Sequence, residues 1–137
     1  MRPAPTSILT AALALAAVHC GAPVTNTPVN DIPKLTSLAI VMDNQATVAD
    51  PQWKKIGDKS YADADWAAFT LTSERIQATS LKIKDFSKGP DFDALAVQLN
   101  EKAKSLGTAA TAKDAAAASA ALADMKATCK ACHSKFR

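Results

Sequence analysis

Four stretches of the chain repeat apolar side chains every three or four positions, a spacing that favours a bundle of amphipathic helices. The first runs over about 34–49, after Pro33, with Leu35, Leu38, Met42 and Ala46 on one stripe. Asp50-Pro51 is expected to end it, because a residue before proline avoids helical angles. The second starts near Ser60 or Asp63, which have capping-box spacing with Asp in place of Glu. Its seam is Trp66, Phe69, Ser73, Ile76, Ser80 and Ile83, and the run 86–90 breaks it. The third opens with Pro90 and Asp91, carries Phe92, Leu95, Leu99, Ala103 and Leu106, and places Gly107 as a C-terminal cap. After a loop near 108–111, the fourth presents Ala118, Leu122, Met125, Cys129, Cys132 and Phe136 to the end of the chain. Short connections predict an all-α, antiparallel up-down-up-down four-helix bundle over 34–137.

Alanine dominates the sequence, so much of the 48% hydrophobic content is small side chains. Large apolar residues look few for a core built of protein alone. Small residues also leave room for a bulky prosthetic group, whose apolar surface would make up the shortfall. The 137 residues carry a net charge of +3, a balance unlike that of a nucleic-acid binder. There is no internal repeat, and nothing after residue 20 is long and apolar enough to span a membrane.

Residues 1–20 have the layout of a secretory signal, with Arg2 at the positive end and a short apolar region from Ile8 to Val18. Two cleavage readings stand. One cuts after Ala14-Leu15-Ala16. The other treats Ala17-Val18-His19-Cys20 as a lipoprotein signal, with Cys20 acylated, although His19 is larger than the residue normally found there. The Pro-, Thr- and Asn-rich stretch 21–33 is expected to be a flexible linker. The domain is then exported to the periplasm, soluble or held at a membrane only through a lipid on Cys20.

Cys129-Lys130-Ala131-Cys132-His133 is a C-x-x-C-H haem-attachment motif. Each thiol adds to one vinyl group of haem to form a thioether, and the adjacent histidine supplies a nitrogen to the iron. On a helix, spacings of three and four put Cys129, Cys132 and His133 on one face. The rival chemistries fit less well. A structural zinc site needs four ligands, and the motif supplies three. A thioredoxin-like pair expects a βαβ setting, and cysteines three apart on one helix are poorly placed for a structural disulfide.

The ending Cys-Lys-Ala-Cys-His-Ser-Lys-Phe-Arg resembles that of class II c-type cytochromes, the cytochrome c-prime family, in which the motif lies on the last helix of the bundle. The resemblance covers about 34–137. It implies one covalent haem c, attachment at Cys129 and Cys132, and His133 as the proximal ligand. It also implies that the first helix faces the distal side of the iron. A methionine there is the sixth ligand in low-spin members, and an apolar side chain blocks the site in high-spin ones. Met42 stands at that position, and Leu38 stands where many high-spin members have arginine. Arg137, four residues past His133, matches a basic residue near the proximal haem face, though here it is also the C-terminal residue.

The expected function is electron transfer by an exported monohaem cytochrome, with Met42 completing the iron coordination. The alternative is a five-coordinate protein that binds nitric oxide or carbon monoxide. No acid–base pair or nucleophile surrounds the motif, so an enzyme is not expected. Lys126, Lys130 and Lys135 are candidates for steering a redox partner, whose identity the sequence does not give. The chain is expected as a monomer or a homodimer, with Ile40 and Val41 exposed for pairing.

Overall fold

The computed structural model describes residues 26–137; the leader, with His19 and Cys20, lies outside them. Four helices make up most of the described chain: α1 (Leu38–Ala49), α2 (Asp63–Ile83), α3 (Pro90–Ala112) and α4 (Ala115–Phe136). Short 3-10 helices cover Val29–Lys34, Asp50–Lys55 and Lys84–Phe86, and no strand occurs among the described residues. The protein is an all-α four-helix bundle, as the periodicity predicts. The packed helix pairs are α2–α3, α3–α4 and α1–α2. The fourth pair, α1 and α4, lines a cleft instead.

The α2 seam is buried at all six positions named from the sequence. Phe69, Ile76, Leu106, Leu122 and Met125 are the large apolar anchors of the core. Full burial of such a side chain is worth about 1.5–3 kcal/mol. Tyr61, Trp66 and Phe69 stack edge to face at 4.9–5.7 Å between centroids and close one end of the core. Polar members of the seam are satisfied across the helix pair. Ser73 Oγ donates to the Ala103 carbonyl at 2.7 Å, and Asn100 Nδ2 donates to the Gln77 carbonyl and to Ser80 Oγ.

Several boundaries differ from the sequence expectation. The first α-helix begins at Leu38 rather than at residue 34, because Leu35 and Ser37 are extended. At its other end, Asp50 keeps helical angles (φ −58°, ψ −41°) despite preceding Pro51, and the chain tightens into a 3-10 helix. Ser60 and Asp63 do not form the cap. The N-cap of α2 is Ala62, which has no side-chain acceptor, and the Asp65 carboxylate accepts the Ala62 N–H at 3.0 Å. The stretch expected to be a loop, 108–111, is helical, and the turn is only Lys113 (φ 51°) and Asp114. Asp114 caps α4 by accepting from the Ala117 N–H at 3.0 Å. The alanines of this region favour helix strongly enough to carry it past Gly107.

Gly107 is therefore not a cap. A Cβ there would lie 2.5 Å from Ser73 Oγ, so the glycine allows α3 to approach α2. The linker expected over 21–33 is, in its described part, packed on the bundle: Thr27 and Ile32 are buried. Val41, expected on an exposed face, is fully buried, and Ile40 is half-buried. Both contradict the sequence reading: the segment docks on α2, and Val41 packs against Ile83 of α2 and Phe92 and Ala96 of α3.

Gly107→Ala is expected to destabilise the protein by about 1–3 kcal/mol in denaturant unfolding, since overpacking and a displaced Ser73 bond exceed the gain in helix propensity. Adding Ser73→Ala should recover part of that loss. Asp65 gives a pH test. Its carboxyl is held below the ordinary carboxylate range, first by the hydrogen bond with Lys55 and next by the Ala62 amide. A carboxylate with a depressed folded pKa stabilises fully above its unfolded value and loses that effect as the pH falls through the folded one. Asp65→Asn should therefore lower Tm at neutral pH, and the gap from wild type should close progressively below about pH 4.

Candidate haem-binding cleft

The unpaired faces of α1 and α4 enclose a cleft of about 690 Å³, within the usual range for a small-molecule or cofactor site. From α1 come Leu38, Ala39, Met42, Gln45, Ala46 and Ala49, with Asp43 and, just past the helix end, Asp50 toward the solvent. From α4 come Met125, Cys129, Cys132, His133 and Phe136, with Lys126, Lys130 and Arg137 around them. Trp53, Ile76 and Phe92 close the remaining wall, and Lys88 also reaches it. A narrower recess shares Met42, Gln45, Phe92, Cys129, Cys132 and His133 and adds Ile83, Leu95, Ala96, Leu99 and Thr128.

The helical spacing of C-x-x-C-H accounts for this arrangement. Leu122 and Met125 bury the α4 seam in the core, and the same seam continued by one, two and three turns brings Cys129, Cys132 and Phe136 to the cleft. The α1 stripe behaves in parallel. Leu35, Leu38 and Met42 are half-buried and Ala46 is exposed, because this face meets the cleft and not another helix. The core-facing side of α1 is Val41, Asn44, Gln45 and Val48.

The last turn of α4 is held from the α2–α3 connection. Phe136 stacks edge to face on Phe92 at 5.2 Å, Lys135 pairs with Asp91, and Lys88 Nζ donates to the Phe136 carbonyl at 2.8 Å. These contacts brace the helix segment that carries His133. On the opposite wall, Trp53 Nε1 donates to the Asp50 carboxylate at 3.0 Å.

Electrostatics separates the rival uses of the thiols. Burial, more than the neighbouring Cys132 thiol or the Asp50 carboxylate, pushes Cys129 up to about 11. Burial also raises Cys132, against a smaller opposing pull from Lys88. Both are protonated thiols at neutral pH, unlike the low-pKa cysteines of redox pairs. Among the described residues no group of three or more His, Cys, Asp or Glu could hold a metal ion.

The cleft brings together Cys129, Cys132, His133, Met42 and Arg137, the site residues expected from the sequence. His133 and Arg137 are exposed at its edge, and Met42 is half-buried on the wall contributed by α1. Two un-ionised thiols, an imidazole and a largely apolar opposite wall suit a covalently attached haem in donor set, size and polarity. Sequence reasoning missed Gln45, Trp53, Lys88, Asp43 and Asp50, whose only signal was proximity in sequence to elements that the fold later brought together.

A helical bundle with an attachment motif on its last helix and an apolar cleft beside it defines a class II c-type cytochrome. The family model described as Cytochrome C' matches residues 37–137, and the chain belongs to that family. Its cofactor is one covalent haem c. The chain is 44% identical over 71 residues to "Cytochrome c'" of Pararhodospirillum photometricum, covering 52% of this chain and 57% of the relative. It is 39% identical over 72 residues to "Cytochrome c'" of Rhodocyclus tenuis, covering 53% and 54%. The chain thus spans about half the length of the curated relatives it matches. No solved structure matches it significantly.

Phe92→Ala tests the brace. Phe92 is 3% exposed, so its truncation is expected to cost about 3–5 kcal/mol in denaturant unfolding. Protection of the amides in the last turn of α4 should fall as well, measured by hydrogen exchange.

Proposed function

We propose that the protein is an exported electron carrier. Cys129 and Cys132 hold the haem by thioether bonds, His133 is its proximal ligand and Met42 its sixth ligand. The observation that carries this reading is the cleft itself, with the thiols and imidazole on α4 and the Met42 thioether on α1. When bound, the haem iron supplies a one-electron couple between ferric and ferrous states.

The chain's own residues do the rest. His133 fixes the group from one side. A Met42 thioether favours the ferrous state and raises the potential. Leu38, Ala49, Ile76 and Phe92 keep water from the cleft floor, and Arg137 stands at the rim where a proximal contact would lie. Lys126 and Lys130, four apart on α4, offer positive charge beside the cleft to an acidic partner. Export to the periplasm rests on the leader. Among the described residues no helix is long and apolar enough to cross a membrane, so attachment would depend on Cys20. A second reading, a five-coordinate protein binding nitric oxide or carbon monoxide, is favoured by Ala39, Ala46 and Ala49, whose small side chains leave room near Met42.

Denaturing mass spectrometry of protein made with a cytochrome c maturation system should show one haem still on the chain, and Cys129→Ala with Cys132→Ala should remove it. The ferric protein should be low spin, with the weak near-infrared band of methionine ligation. Met42→Ala should shift it to high spin, lower the potential and speed carbon monoxide binding to the ferrous form. A parent spectrum already high spin, and unchanged by Met42→Ala, would establish the gas-binding reading instead.

A further inference from the structure

The segment 26–34, the first of the described residues, is tied to the back of the helix that carries Met42. Its 3-10 helix packs on α2, and Ile32 is fully buried. The Thr27 backbone N–H donates to Asn44 Oδ1 at 2.7 Å in a buried contact, and Asn44 Nδ2 donates to the Ile40 carbonyl at 2.9 Å. Arg75 of α2, only 5% exposed, donates from Nη1 to Asn26 Oδ1 at 2.5 Å. Next to Asn44, Gln45 Nε2 donates to Thr79 Oγ1 of α2 at 3.1 Å.

Asn44 follows Met42 by two residues, so the two side chains leave α1 on different sides. Met42 meets the cleft, while Asn44 is buried beneath the segment. With 12 residues, α1 is shorter than a helix that holds its shape unaided in water. It also lacks a packed neighbour on the cleft side. Its position is therefore set from behind, by Ile83 and Thr79 of α2, by Phe92 and Ala96 of α3, and by the Thr27 contact of residues 26–34.

We propose that the segment 26–34 is a clamp that holds α1, and through it Met42, in place at the cleft, with Asn44 as the positioning residue. The iron-directed part rests on the Met42 reading above. Breaking the Thr27–Asn44 bond removes a buried hydrogen bond between this segment and α1, a loss that falls on α1 and not on the α2–α3 core.

The test uses the full-length, haem-loaded protein. Thr27→Pro deletes the N–H donor, and position 27 lies outside any helix, so no other ladder hydrogen bond is broken. Asn26→Ala, at an exposed position, removes the Arg75 contact without opening the core. In Thr27→Pro, amide exchange over α1 should become roughly tenfold faster while α3 is unchanged. The ferric protein should gain high-spin character, and carbon monoxide binding should accelerate toward the Met42→Ala rate. Asn26→Ala should shift each readout the same way to a smaller extent, and it decides the matter should Thr27→Pro fail to fold. Unchanged α1 exchange in the folded variants, or equal acceleration in α1 and α3, overturns the clamp. A wild-type protein that is high spin and insensitive to Met42→Ala overturns the iron-directed part, and α1 exchange still decides whether the clamp holds the helix.

Discussion

The missing contact between α1 and α4 governs the rest of this structure. An up-down-up-down bundle has four neighbouring helix pairs, and here three pack while the fourth lines a cleft. The apolar stripes of α1 and α4 therefore remain partly uncovered: Leu38 and Met42 on one wall, Cys129, Cys132 and Phe136 on the other. Apolar surface of this kind in water is unfavourable. A flat, largely apolar group placed between the two walls removes that cost, and this links the small-residue composition to the cofactor. Ala39, Ala46 and Ala49 create the space, and the four large side chains Trp53, Ile76, Phe92 and Met125 bound it.

Holding such a cleft open requires rigidity elsewhere. The α2–α3 pair provides it through a polar ladder within an apolar seam: Ser73 to Ala103, Asn100 to Gln77 and Ser80. Gly107 lets the two helices close on that ladder. From this pair the two cleft walls are braced by separate polar contacts and by one shared apolar cluster around Phe92. The end of α4 is fixed by Phe92, Asp91 and Lys88. The back of α1 is fixed by Thr79 and by the segment around Thr27 and Asn26.

Much of the fold was legible beforehand because periodicity reports which face of a helix leaves water. The α2 seam read from the sequence is buried at all its positions. Periodicity failed where it could not say what an apolar face meets. Leu38, Met42 and Ala46 read as one apolar stripe and line the cleft, while Val41, read as exposed, is buried with Asn44, Gln45 and Val48 on the other side of α1. Gly107 read as a helix stop because glycine is common there; its actual role, a close helix approach, depends on Ser73, which lies 34 residues away in the chain. Asp65 was missed as a cap partner because Ala62 carries no capping side chain to mark the start of α2.

The sequence by itself determined the helical class, the family and the local constellation Cys129, Cys132 and His133, since spacings of three and four on a helix need no partner to define a face. It also determined that Met42 shares a stripe with Leu38. Only the tertiary structure decided that this stripe lies across a cleft from the motif, that Gln45, Trp53 and Lys88 line that cleft, and that residues 26–34 dock behind α1 in place of trailing as a linker. The physical reason is range. Backbone periodicity is set by neighbours within one or two turns, whereas a cleft wall, a close helix approach or a buried hydrogen bond such as Thr27 to Asn44 exists only once distant segments have been brought together.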